Sequence, residues 1–233
     1  AAAPFRPAML AHALVEADKG KLDPADFSAE WKWDGIRIQV SCEEGTKRIY
    51  SRSGDEISKA FPDLLEAVDF EGTIDGELLI GQQNTDGVME IGSFGDLQQR
   101  LNRKTVSKKL LSSHPVFMRT YDLLSDGNRN IRDLPFSERR KRLEKFVPYL
   151  EPTRFDISPL VEFETWDALA EHRDSLPHPA IEGVMIKQWN SPYLAGRPRG
   201  LWFKWKRDPM IIDAVLMYAQ RGHGKRSSFY SDY

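Results

Sequence analysis

The chain has a single cysteine, Cys42, among 233 residues. This excludes an internal disulfide and a cysteine-based zinc site, and the expected setting is intracellular, cytoplasmic or nucleoid-associated. Histidine is sparse too: five are scattered without metal-ligand spacing, and His178, between Pro177 and Pro179, reads as a loop residue. No apolar run is long enough to span a bilayer, so no membrane association is expected. The opening AAAPFRPAMLAHAL lacks a basic region followed by a long apolar block, and no signal peptide is expected. Charge of one sign is also missing, since 33 Lys and Arg face 35 Asp and Glu for a net charge of −2. A protein coated in positive potential is thereby excluded.

The cations that are present come in clusters, at 100–109, 139–145, 196–207 and 220–226. The 139–145 cluster reads as a solvated helix face: Ser137 can cap a helix whose Leu143, Phe146 and Val147 point inward, leaving the arginines in water. The 196–207 cluster mixes glycine, proline, aromatics and cations, as a phosphate-contacting loop does. Apolar alternation marks strands near 28–41, 46–52, 73–80, 116–124, 181–188 and 201–207. Helical spacing appears at 58–68, 93–102, 137–147 and 165–173. Strands separated by amphipathic helices make an α+β domain with antiparallel sheets.

The most informative stretch is SAEWKWDGIRIQV, residues 28–40. Glu30, Lys32 and Asp34 share one strand face, with Trp31 and Trp33 on the other. After Gly35 the phase inverts, and Ile36, Ile38 and Val40 become the apolar set. A turn or bulge at Asp34–Gly35 is predicted, with glycine supplying the dihedral freedom. Charge is embedded in strand-like sequence elsewhere as well: Arg52 follows a strand, Asp75 and Glu77 share a face, Glu182 and Lys187 bracket an apolar run, and Lys204 and Lys206 share a face. Burying so many charges for stability alone makes little sense. A polyanionic ligand with a divalent metal accounts for the mixture, cations meeting phosphates and carboxylates holding the metal.

The ordered set Glu30-x-Lys32-x-Asp34-Gly35-x-Arg37, Ser51-Arg52, Asp75-Gly76-Glu77, Tyr121-Asp122, Glu182-Gly183-x-x-x-Lys187 and Lys204-x-Lys206 resembles the collinear motifs of the covalent nucleotidyltransferases. Within that superfamily it is most similar to the adenylation domain of ATP-dependent DNA ligases, from about Phe5 to Asp213. The resemblance implies an ATP-grasp-like nucleotidyltransferase fold with the nucleotide site between antiparallel sheets. It implies that Lys32 is the nucleophile toward the α-phosphate of ATP, leaving a lysyl-AMP. Tyr121 would stack on adenine, Glu30 would help read its edge, and Arg37 and Arg52 would hold ribose or phosphate. Glu77 and Glu182 would be ligands for Mg2+ or Mn2+, Glu77 alternatively a ribose contact. Lys187, Lys204 and Lys206 would neutralise the triphosphate, and Asp34 and Gly35 complete the lysine motif.

The implied partner is nicked double-stranded DNA, engaged by a monomer. Residues 1–213 would form the adenylation domain and 214–233 the start of a truncated C-terminal OB-fold domain. Messenger-RNA capping guanylyltransferases and RNA ligases share the lysine motif. They remain open alternatives, as does a non-catalytic nucleic-acid-binding module. NAD-dependent ligases fit less well, because the cysteines of their zinc module are missing.

Overall fold

The computed structural model describes residues 2–101, 103 and 105–208, and the backbone of 220–221 and 230–232. Two sheets carry the site. The first contains β1 (His12–Ala13), β2 (Phe27–Trp33), β10 (Leu160–Val161), β11 (Ile181–Gln188) and β12 (Trp202–Lys206), in the order β1-β12-β11-β2-β10. The second runs β4-β3-β5-β7-β8, built from β3 (Ile36–Glu43), β4 (Thr46–Ser51), β5 (Gly72–Gln83), β7 (Val116–Asp126) and β8 (Arg129–Asn130). Short strands β6 (Met89–Ile91) and β9 (Phe155–Ile157) pair with β5 and β7. Pairing is antiparallel as expected except for β1 on β12 and β9 on β7, which run parallel. The expected opening of a further domain at 214–233 lies outside the described residues, apart from two backbone segments, β13 (Gln220–Arg221) and β14 (Tyr230–Asp232), that pair antiparallel.

The phase inversion at Asp34–Gly35 is more than a turn within one strand. β2 ends in the first sheet at Trp33 and β3 begins in the second at Ile36, so the inversion marks the passage between sheets. Gly35 is required by space rather than by dihedral freedom. A Cβ there would stand 2.4 Å from the Leu78 carbonyl oxygen and 2.8 Å from a Leu79 methyl. Trp33 plugs the crossing, packed with Leu79, Phe117 and Ile181 beneath the Arg119 guanidinium, 4.2 Å from its ring.

The remaining apolar alternation faces two cores. Val40, Ile74, Leu78 and Met118 of the second sheet pack on helices α2 (Pro62–Glu66) and α5 (Phe136–Phe146) through Leu64 and Leu143. Phe27, Val184, Ile186 and Phe203 of the first pack on α6 (Trp166–Asp174) through Trp166 and Leu169. The segment 2–14, to which the sequence pattern assigned no element, straps the sheets together. Tyr50 Oη donates to Ala3 O (2.7 Å) and Arg6 pairs with Glu43 (2.7 Å), while Leu14 N donates to Lys204 O (3.0 Å).

The reading of α5 needs correction. Pro135 occupies its N-cap position, not Ser137, and Arg139 and Arg140 are buried rather than in water. The cause is their spacing from Phe136 and Leu143: positions 136, 139, 140 and 143 fall on one helical face. The long side chains cross the apolar stripe to reach carboxylates beyond it. Arg139 donates to both oxygens of Asp122, at 2.8 and 3.0 Å, with both side chains 0% exposed. Removing one partner strands the other charge. Arg139→Met should therefore lose about 3–5 kcal/mol of unfolding free energy, whereas Arg139→Met with Asp122→Leu should recover most of it. Denaturant titration of the single and double variants measures the difference.

Candidate active site

A cleft of about 490 Å³ opens between the two sheets. Strand register explains which side chains reach it. Glu30 is opposite Met185, which is opposite Lys204; Lys32 is opposite Gly183, which is opposite Lys206. Paired residues share a face, so Glu30, Lys32, Met185, Lys187, Trp202 and Lys204 form one wall of the cleft. Glu182 and Lys187 are five residues apart and in a regular strand would face opposite ways. The register shift between Ile181 and Gly183 removes the conflict and turns Glu182 into the cleft. Gly183 makes the shift possible, with φ +155° and no room for a Cβ, which would meet the Trp205 carbonyl oxygen at 2.3 Å.

At the lysine end, Lys32 Nζ donates to Glu182 Oε1, and Lys206 Nζ lies 2.8 Å from Glu182 Oε2. Burial works to raise the Glu182 carboxyl, but hydrogen bonds from Lys206 and Lys32 outweigh it and hold the group below the usual range. Lys204 is pushed down from the ordinary lysine value, first by burial and then by repulsion from Lys32, Arg197 and Lys206.

The opposite wall comes from the second sheet. Arg37 binds both oxygens of Asp75, through Nε (3.1 Å) and Nη2 (2.6 Å), and donates through Nη1 to the Met9 carbonyl (2.6 Å). Tyr193 Oη donates to Asp75 Oδ2 (2.6 Å) and accepts from Arg37 Nη2 (3.1 Å). Arg37 is therefore a fixed cation with donors on all three nitrogens engaged. Tyr121 on β7 donates to Glu77 Oε2 at 3.4 Å.

The third group is centred on Glu30, midway along β2. The Glu30 carboxylate, 2% exposed, stands between Lys187 Nζ (2.8 Å) and Arg140 Nη1 (3.5 Å). Neither contact has hydrogen-bond alignment, and both carboxylate oxygens of Glu30 lack a donor. Lys187, expected at a triphosphate, has its ammonium here instead, over the rings of Tyr121, Trp202 and Phe136 at 4.6, 4.8 and 5.0 Å.

The structure thus gathers Glu30, Lys32, Asp34, Gly35, Arg37, Arg52, Glu77, Tyr121, Glu182, Lys187 and Lys204 around one cleft. Lys206 joins through Glu182, while Asp34 and Arg52 are exposed at the rim. The sequence reading did not single out Tyr193, Arg140, Arg197 or the Met9 carbonyl. Two of them left a signal: Arg140 its helical spacing from Phe136 and Leu143, and Arg197 its place in the 196–207 cluster read as a phosphate-contacting loop. Among the described residues no three His, Cys, Asp or Glu side chains cluster as a metal cage. Glu77 and Glu182 offer one carboxylate from each sheet, a donor set that suits a cation whose shell is completed by phosphate oxygens.

Residues 8–206 match the family described as the ATP dependent DNA ligase domain. The chain belongs to that family. It is 30% identical to a probable DNA ligase of Koribacter versatilis over 97% of this chain and 42% of that protein. It is 34% identical to a probable DNA ligase of Streptomyces avermitilis over 96% of this chain and 43% of that one. This ligase-family chain thus spans about two-fifths of the length of those relatives. Among solved structures, a mycobacterial DNA ligase D complexed with ATP and MES superposes with a TM-score of 0.63 at 27% identity, covering 86% of this chain and 60% of that one. The Chlorella virus DNA ligase-adenylate shares the fold, with a TM-score of 0.62 at 18% identity over 88% of this chain and 69% of that one. The expected nucleotidyltransferase architecture of ATP-dependent ligases is therefore the architecture found. No helix among the described residues is long and apolar enough to cross a membrane.

Burial raises the Glu77 carboxyl from 4.5 to about 8; Lys32 and Arg37 oppose the rise and Asp75 adds to it. An acid so raised stabilises the fold when protonated. Its contribution is complete below the unfolded value and is lost as pH rises through the folded one. Glu77→Gln stays neutral throughout, so the variant should gain on the wild type as pH climbs from about 4.5 to 8. Melting temperatures of both proteins without nucleotide, taken across that range, test this; parallel curves would refute it.

Proposed function

We propose that this chain is the adenylating part of an ATP-dependent DNA ligase, with Lys32 as the nucleophile. The observation that carries this reading is the placement of Lys32 and Glu30 on one cleft wall, two residues apart on β2. That separation is about 7 Å along a strand, within the span of one nucleotide. A 6-amino purine would donate to the unfilled Glu30 oxygens, Tyr121 would lie against the ring, and the α-phosphate would face Lys32. A purine with an oxo group at position 6 would set an acceptor against a carboxylate, which favours ATP over GTP. Lys187 belongs to this base end, on the strength of its contact with Glu30.

In the free cleft Lys32 is paired with Glu182. Attack requires an amine, and the neighbouring cations Lys204 and Lys206 disfavour a further positive charge at Lys32 and so favour release of its proton to solvent. The Nζ lone pair then forms the N–P bond as the bond to pyrophosphate breaks. Mg2+ or Mn2+, held by Glu77 or Glu182 with phosphate oxygens, would supply charge neutralisation when bound. Arg37 presents fixed positive charge to the ribose and phosphate region, and Lys204 and Lys206 offset the departing pyrophosphate. In the following steps AMP passes to the 5′-phosphate of a DNA nick and the 3′-hydroxyl displaces it. The exposed Arg52 and Arg197 at the cleft rim suit the incoming 5′-phosphate.

Intact mass spectrometry before and after incubation with ATP and magnesium should show one AMP adduct per chain, absent from Lys32→Ala and absent with GTP or NAD. A GMP adduct would indicate capping chemistry. No adduct from the chain alone, nor from the chain joined to an OB-fold domain, would reject the assignment of Lys32.

A further inference from the structure

We propose that Arg140 is a specificity-determining positioning residue: from α5 it holds the Glu30 carboxylate in place as the acceptor that selects a 6-amino purine. The inference rests on the assignment of Glu30 to the base. α5 sends two consecutive guanidinium groups to the two sheets. Arg139 reaches Asp122 on β7, the neighbour of Tyr121, and also donates to Leu134 O (2.6 Å) and Ser191 O (3.0 Å). Arg140 reaches Glu30 on β2 and is itself anchored, Nη1 on Ser158 O at 2.8 Å and Nε on Glu144 Oε1 at 2.7 Å. One helical turn thus ties together the ring and the carboxylate on the two sides of the base slot.

The geometry of the Arg140 contact matters more than its existence. At 3.5 Å the guanidinium is close enough to compensate the Glu30 charge but makes no hydrogen bond to it. Lys187 does the same at the other oxygen, its ammonium held over three aromatic faces. A carboxylate this deeply buried needs positive charge beside it to offset the cost of its desolvation. A carboxylate only accepts, and a 6-oxo group offers it no proton. The two cations balance the charge of Glu30, and neither makes an aligned hydrogen bond to it.

The test is equilibrium binding of ATP and of ITP, whose base carries a 6-oxo group, measured calorimetrically for the wild type, Glu30→Gln, Arg140→Gln and Arg140→Lys. Arg140→Gln keeps a donor for Ser158 O and removes the charge. The ATP:ITP affinity ratio should fall about tenfold in Arg140→Gln, the scale of one charge-assisted hydrogen bond, and recover in part in Arg140→Lys. A wild-type ratio in Arg140→Gln alongside a collapsed ratio in Glu30→Gln would make Arg140 a purely structural group and overturn the proposal. A wild-type ratio in Glu30→Gln would instead remove the base assignment beneath it. Should Arg140→Gln not fold, Arg140→Met decides: a ratio below wild type supports the proposal, and an unchanged ratio overturns it.

Discussion

Between Trp33 and Ile36 the backbone leaves one sheet for the other, and Gly35 lies against the Leu78 carbonyl with space for a hydrogen and nothing larger. β2 carries Glu30 and Lys32, and β3 carries Arg37, so this single contact sets the separation of the two cleft walls. A side chain at position 35 would push β5 away and part the walls at the point where a ligand must touch both. Trp33 fills the other side of the crossing, so the joint is closed by packing as well as by lack of space.

Charge in the cleft is divided into three cells. Lys32 and Lys206 share Glu182; Arg37 is matched to Asp75 under the hydroxyl of Tyr193; Lys187 and Arg140 flank Glu30. Each cell contains the counter-charge that burial demands, so the walls neither repel each other nor collapse. Arg140 is matched in turn by Glu144, so the excess of cations is in the cell around Glu182, and Lys204 adds another beside it. A chain with an overall net charge of −2 thereby presents a locally positive cavity, which focuses its attraction on polyanions at one place.

Most of this cleft was legible in the sequence because its residues are short-range features of strands. Lys32 between two tryptophans, Asp75 and Glu77 on one face, and the inversion after Gly35 all follow from the period of two. What escaped depends on long reach or on irregular backbone. Arg140 was read as solvent-facing because its charge weighed more than its position beside Phe136 and Leu143 on the helical wheel. Tyr193 and the Met9 carbonyl act through loop and strap segments that carry no periodicity. The common orientation of Glu182 and Lys187 contradicts strand alternation, and only the register shift at Gly183 reconciles it. The lysine expected at a triphosphate proved to be partnered with Glu30, since a motif fixes a residue's strand and face but not which neighbour its flexible head meets.

The parallel pairing of β1 with β12 has a consequence in time. His12 is registered with Phe203, and Glu30 with Met185, so the first sheet is made of partners that leave a ribosome far apart. The second sheet is assembled from strands β3 to β9, all of them made before residue 158, and can form while the rest is still being synthesised. During that interval β2, with its lysine, waits without its neighbours, and the cleft has one wall. Such long-range closure is slow and leaves strand edges open. The order of synthesis therefore makes completion of the cleft a late event in the life of the nascent chain, set by the arrival of β12.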